Sequence, residues 1–243
     1  NRRLTLTPAG TAFLKKARIA IAMAEQAAVD ARQTARGEQG VLNLGCVSSV
    51  MLDSKLPACL RQLHAQWPAI SISMMTGNVQ NLYTAVQSNQ LDVAIIRAPI
   101  PVLPEDLQSR AFTTEKTVLA IGKQHPLAGS SALTLASVKD DKWISLRDPE
   151  GVGLEQYLYD ACHSAGFQPH VIQNASDVLT VLSLVSAGFG IALLPVSARA
   201  VSLENVVYVD IIDRLEESEL TLVCHRIIRS EVLNKFLRTL ERP

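Results

Sequence analysis

An α/β fold in two similar lobes, set behind one long helix, is what this sequence predicts, and three observations predict it. After position 40, apolar runs of strand length alternate with amphipathic stretches of helix length, the signature of a parallel sheet with helices on its faces. A second series of the same kind occupies roughly 118–211. Ahead of both, an alanine-rich stretch from Thr11 to Arg36 contains neither glycine nor proline. With 243 residues the chain has room for one large domain or two modest ones, and for an ample core.

Leu4 and Leu6 alternate with Thr5 and Thr7, which reads as a short strand. Thr7 offers an N-cap oxygen, and Pro8 takes the first helical position, where its missing N–H costs nothing. The helix expected over 8–36 places Leu14, Ala17, Ile21, Ala24, Ala28, Ala31 and Ala35 in steps of three and four, the seam of a coiled coil. At 1.5 Å per residue it would run roughly 40 Å. So long a helix needs a surface to bury its apolar stripe. Its own domain is one candidate; a partner subunit, whose helix an alanine seam lets approach closely, is preferred. Gly37 and Gly40 end the helix and form a hinge.

Strand-like runs at 41–47, 70–75 and 91–96 then enclose two helices. The first carries Leu56, Leu60, Leu63 and Trp67 and stops at Pro68; the second carries Leu82, Tyr83 and Val86. The second series has strands at 118–121, 143–146 and 171–172, a helix through Leu154, Leu158 and Cys162, and another beginning at Ser176. Gly188 stops that helix before a buried strand at 191–194. Strands near 206–211 and 220–224 and a helix with Val232, Phe236 and Leu240 complete the chain.

Lysine plus arginine equals aspartate plus glutamate at 23 each, so no net field recruits nucleic acid. Arg2, Arg3, Lys15, Lys16 and Arg18 do bunch near the start, as a solvated face or as phosphate contacts. Cys46, Cys59, Cys162 and Cys224 form no C-x-x-C pair, and two lie in strand-like runs. Buried thiols in a reducing cytoplasm are expected. The five histidines lack ligand-like spacing, so no metal and no cofactor is expected. No apolar run approaches the ~18 residues of a membrane span. Nucleophile elbow, P-loop and H-E-x-x-H signatures are missing, and an enzyme is not expected. Gly188-Phe189-Gly190 follows a helix rather than a strand, so it reads as architecture, not a dinucleotide fingerprint.

Open parallel sheets bind ligands beyond the carboxyl ends of their strands, where helix N-termini present free N–H groups. Ser48, Ser49, Thr76 and Asn78 fall there in the first series, and Pro149, Gly151, Gly153 and Ser176 in the second. For each one singly, capping is the commoner role; convergence from both lobes is what favours a ligand. Arg97 ends an apolar strand, so its charge needs solvent, a partner or an anion. An ion pair with Asp92 or Glu150 and a ligand contact stand equally open. Excess carboxylates are not obvious near these positions, which favours an anionic ligand.

The step Leu6-Thr7-Pro8-Ala9-Gly10 with its helix resembles the wing and linker helix of LysR-type transcriptional regulators, and nearly all the remaining chain resembles their effector-binding domain. Gly45-Cys46-Val47-Ser48-Ser49, Gly77-Asn78 and Arg97 resemble the effector-site positions of the branch that senses muconate- and benzoate-like acids. Threonine typically follows that second glycine, where this chain has Asn78. The run 185–195 and His125-Pro126-Leu127-Ala128 match family patterns too, the latter as a turn. The resemblance implies a bilobed fold like type II periplasmic binding proteins behind a long linker helix. It implies the end of a DNA-binding wing at 1–7, a dimerising linker helix at 8–38 and an effector-binding domain at 39–243. Lobe I would take about 41–112 and 222–243, and lobe II about 113–221. Most of the winged helix-turn-helix is then absent from this chain. The function implied is a cytoplasmic, ligand-responsive transcription regulator. Its partners would be a small anionic effector (a carboxylic acid), DNA through the missing N-terminal domain, and further copies as homodimer or homotetramer. A solute-binding protein of a transporter is the alternative on the same fold.

Overall fold

A computed structural model describes residues 7–240; the strand expected at 4–7 and the cations Arg2 and Arg3 lie outside them, apart from Thr7. The leading helix α1 spans Pro8–Ala35, 28 residues, with the Thr7 hydroxyl accepting from the Gly10 N–H at 3.0 Å. Its apolar positions are largely bare: Ile21 is 61% exposed, and Ala24, Ala28 and Ala31 are exposed with it. Gly37 follows at φ +61°, and a Cβ there would lie 2.7 Å from Glu231 Cβ. Only glycine lets the chain turn so tightly against the next domain.

The first lobe is a five-stranded sheet in the order β2-β1-β3-β11-β4. Strands β1 (Gly40–Cys46), β2 (Ile70–Thr76) and β3 (Val93–Arg97) are parallel. Strand β11 (Ser218–His225) returns antiparallel between β3 and β4 (Leu107–Glu115). β3 is buried at every residue, as a central strand covered on both faces must be. Helices α2 (Lys55–Gln66), α3 (Val79–Gln87) and α6 (Glu231–Thr239) pack on it. α2 buries Leu56, Cys59 and Leu63 at the three-four spacing of one helical face, and ends before Pro68, which disfavours helical backbone ahead of it. The core joins Leu42, Leu44, Ile95, Leu222 and Phe236.

The second lobe departs from the parallel plan expected for it. Strands β5 (Thr117–Gly122), β9 (Ala192–Pro195) and β10 (Val206–Ile211) pair antiparallel, with the two-residue β6 (Ala132–Leu133) parallel at the edge. β7 (Lys142–Leu146) and β8 (His170–Ala175) form a separate parallel pair, and one bridge from Trp143 to Ile191, the residue before β9, ties them to that sheet. Helices α4 (Gly153–Ser164) and α5 (Val178–Ser186) cover opposite faces. Leu119 and Ile121 join one cluster with Trp143 and Leu158, while Ala120 joins the other with Val181 and Leu194. That is the period-two alternation of a strand buried on both sides.

The chain crosses to the second lobe at Lys116, between β4 and β5, and comes back between Ile211 and Ser218. The boundaries expected at 112/113 and 221/222 therefore fall inside β4 and β11. Both strands run through to the hinge, because their pairing with each other extends from Leu107–His225 to Glu115–Ser218. All four cysteines are free and buried. Burial pushes the Cys46 thiol up to about 11 and Cys162 up to about 12. No described helix is long and apolar enough to cross a membrane.

Candidate functional site

The carboxyl ends of β1 and β3 meet the N-termini of α3, α4 and α5 between the lobes. Five of the residues expected at a site line one cavity there: Ser48, Ser49, Asn78, Arg97 and Ser176. Thr76 is exposed beside Cys46 on the edge strand. Pro149 and Gly151 lie in the loop before α4 and Gly153 opens that helix; none of the three lines the cavity.

Several of the polar groups are already engaged. The Asn78 side-chain oxygen caps α3, accepting from the Asn81 N–H at 2.8 Å. The helix expected to begin at Ser176 begins at Val178, because Asp177 has the extended backbone of an N-cap and accepts from the Thr180 N–H at 2.9 Å. Ser176 donates to Asp177 at 2.8 Å, and these bonds outweigh burial to draw the Asp177 carboxyl below its ordinary range. The Ser48 hydroxyl reaches across the cleft and accepts from the Val178 N–H at 3.3 Å.

Arg97 pairs with neither of its expected partners. Asp92 is occupied by the backbone and side chain of Asn43 at 2.7 and 3.2 Å, and Glu150 is exposed. The ion pair forms instead with Glu115 at the hinge end of β4, 2.9 Å away. Arg97 also donates to Ser218 at 2.9 Å and to Ser49 at 3.2 Å. It is 1% exposed, and that burial lowers its pKa against the opposing pull of Glu115. The other Glu115 oxygen accepts from the Ser197 N–H of the second lobe at 2.9 Å. The guanidinium is therefore neutralised inside the protein, in a bridge joining the lobes.

A further carboxylate stands at the site. Asp148 lines the cavity, a carboxylate not among the residues expected at the site, where an excess of acids was not expected. Its Oδ2 accepts from the Leu154 N–H at 3.0 Å. Burial raises its pKa, while the N–H groups of Leu154, Glu155 and, from the facing lobe, Val79 pull the other way. The signal was present: Asp148 stands two residues beyond β7, one residue ahead of the segment singled out. Arg147, also missed, is exposed at the rim. Among the described residues no group of His, Cys, Asp or Glu is arranged to hold a metal.

Comparison with known proteins bears on what such a cleft does. Residues 35–242 match the family model described as the LysR substrate binding domain. The HTH-type transcriptional regulator BudR of Raoultella terrigena is 32% identical over 97% of this chain and 82% of its own length. AlsR of Bacillus subtilis, another HTH-type regulator, is 30% identical over 85% of this chain and 68% of its own. Among solved structures, the LysR family regulator CbnR superposes with TM-score 0.81 at 20% identity, covering 97% of this chain and 81% of that one. The BenM effector binding domain with its effector benzoate gives 0.70 at 19% identity, over 83% and 90%.

Proposed function

This chain belongs to the LysR-type transcriptional regulators, and from that premise we propose that its inter-lobe cleft senses a small anionic effector, a carboxylic acid. It is a ligand-responsive regulator of transcription. The transporter alternative is not favoured, since the relatives are regulators.

The observation that carries the effector reading is convergence. Ser48, Ser49, Asn78 and Ser176 bring hydroxyl and amide groups from two lobes to one cavity, beside helix N-termini whose N–H groups suit an anion. We assign 8–38 to the linker helix and 39–243 to the effector-binding domain. The seam Leu14, Ala17, Ile21, Ala24, Ala28 and Ala31 pairs with a second copy, and a winged helix-turn-helix joined through α1 reads DNA in the cytoplasm. Effector binding biases DNA binding only by its differential affinity for two lobe arrangements.

A thermal-shift screen of this chain against small carboxylic acids, with their amides as neutral controls, tests the reading. An acid at a hundredfold excess over its Kd stabilises the fold by about 2.7 kcal/mol, and Ser48→Ala with Ser176→Ala reduces that shift. Equal shifts with acid and amide would sink the anionic reading.

A further inference from the structure

The cleft is shut. The space left among its lining residues is about 20 Å³, enough for roughly one water molecule and far below the ~300 Å³ of a ligand pocket. Among its lining groups is the carboxylate of Asp148, seated on the Leu154 N–H at the start of α4 and faced by the Val79 N–H at the start of α3. One lobe contributes each helix. A ligand carboxylate would need the same pair of donors.

The seat is cut to fit. A Cβ on Gly153 would lie 2.3 Å from Asp148 Oδ2 and 2.5 Å from its Cγ, and Gly153 holds φ +69°. No other residue leaves room for that carboxylate. Nor does the cleft hold spare charge for a second anion. Arg97 is neutralised by Glu115, and two carboxylates on one buried set of donors repel. The remaining cation, Arg147, is exposed at the rim, where it steers an anion without seating it. Gly151, at φ +82° with open space around it, lies in the loop carrying Asp148.

We propose that Asp148 is the specificity-determining residue of this cleft: an internal carboxylate that holds the effector's seat, and that an effector enters only by replacing it with a carboxylate of its own. This rests on the anionic reading above. The exchange leaves the charge in the seat unchanged, so a neutral ligand finds no equivalent way in. The apparent affinity is that of the vacated seat reduced by the fraction of molecules in which Asp148 has swung out.

The test uses this chain with Asp148→Ala and Asp148→Asn, titrated calorimetrically at neutral pH with acetate, benzoate and the neutral probe benzamide. Acetate is close to the carboxyl group that the alanine variant removes. Asp148→Ala is expected to bind acetate and benzoate at least tenfold more tightly than the parent, with benzamide unchanged, and acetate should restore thermal stability lost in the variant. Should the alanine variant not fold, Asp148→Asn carries the comparison. Its uncharged side chain gives up the donors more readily, so benzoate should again bind more tightly. Carboxylate binding by the parent with no gain in either variant overturns this proposal alone. No carboxylate binding by the parent or either variant overturns the anionic reading and this proposal together.

Discussion

A guanidinium at 1% exposure has to be neutralised, and in this protein Glu115 does it from the hinge, with Ser49 and Ser218 taking further donors. Removing one member of a buried pair strands the other, at about 3–5 kcal/mol. Arg97→Ala is therefore expected to destabilise by about that much, whereas Ser49→Ala, which leaves the ion pair intact, should cost about 1 kcal/mol. Urea titrations distinguish the two; equal, small losses would mean that Glu115 is not the partner that matters. Asp148 makes a separate prediction about pH. Its folded-state pKa is raised above the ordinary 3.8, so the folded chain holds that proton more tightly than the unfolded one. Its contribution to stability is complete below 3.8 and is lost as pH rises through the raised value. Asp148→Asn should remove that decline, leaving a smaller loss of melting temperature above pH 4 than the parent shows. Ser48 and Asn78 were legible because they follow parallel strands directly. Glu115 was not, since it meets Arg97 only through pairing between distant strands.

At the scale of elements, apolar pattern reveals what is buried and hides what is not. The run at 118–121 was legible because β5 is covered on both faces. β4 was missed: Gln108, Ser109, Arg110, Thr113 and Thr114 make an edge strand with few buried residues, and edges carry polar side chains. The parallel order of the first lobe was legible from its helix crossovers. The antiparallel pairing of β5, β9 and β10 was not, because alternation along a strand says nothing of its neighbour's direction. α1 was read correctly as a helix, yet it exposes more than a narrow seam. Phe13, Ile19, Met23 and Val29 are exposed beside Ile21, and apolar residues around a helix call for burial on several sides. Ile21→Glu should put like charges on facing helices and shift the chain towards monomer in sedimentation equilibrium. Ile227→Glu, at a site 74% exposed and outside α1, should leave assembly unchanged. If both variants associate like the parent, α1 is not the dimer contact.

The whole molecule is two bodies held shut by few bonds. Val178 N–H reaches Ser48, Gly153 N–H reaches the Pro99 carbonyl at 2.8 Å, and Ser197 N–H reaches Glu115. Apolar contact is exchanged as well: Val152, from the second lobe's chain, packs into the first lobe's core, and Leu52 packs against the second lobe's core. Two chain crossings alone allow the lobes to part without either core unfolding, so opening should cost less than global unfolding. Val152→Ala removes two methyl carbons from that contact, about 0.8 kcal/mol each, and weakens closure by roughly 1.5 kcal/mol, about tenfold in the opening equilibrium. Amide exchange at Val178, Gly153 and Ser197 should then quicken together by about that factor, while amides within β1 and β5 keep their protection. Uniform acceleration across both cores would mean that the substitution destabilised a single cooperative unit, and a cleft that cannot open on its own cannot admit an effector.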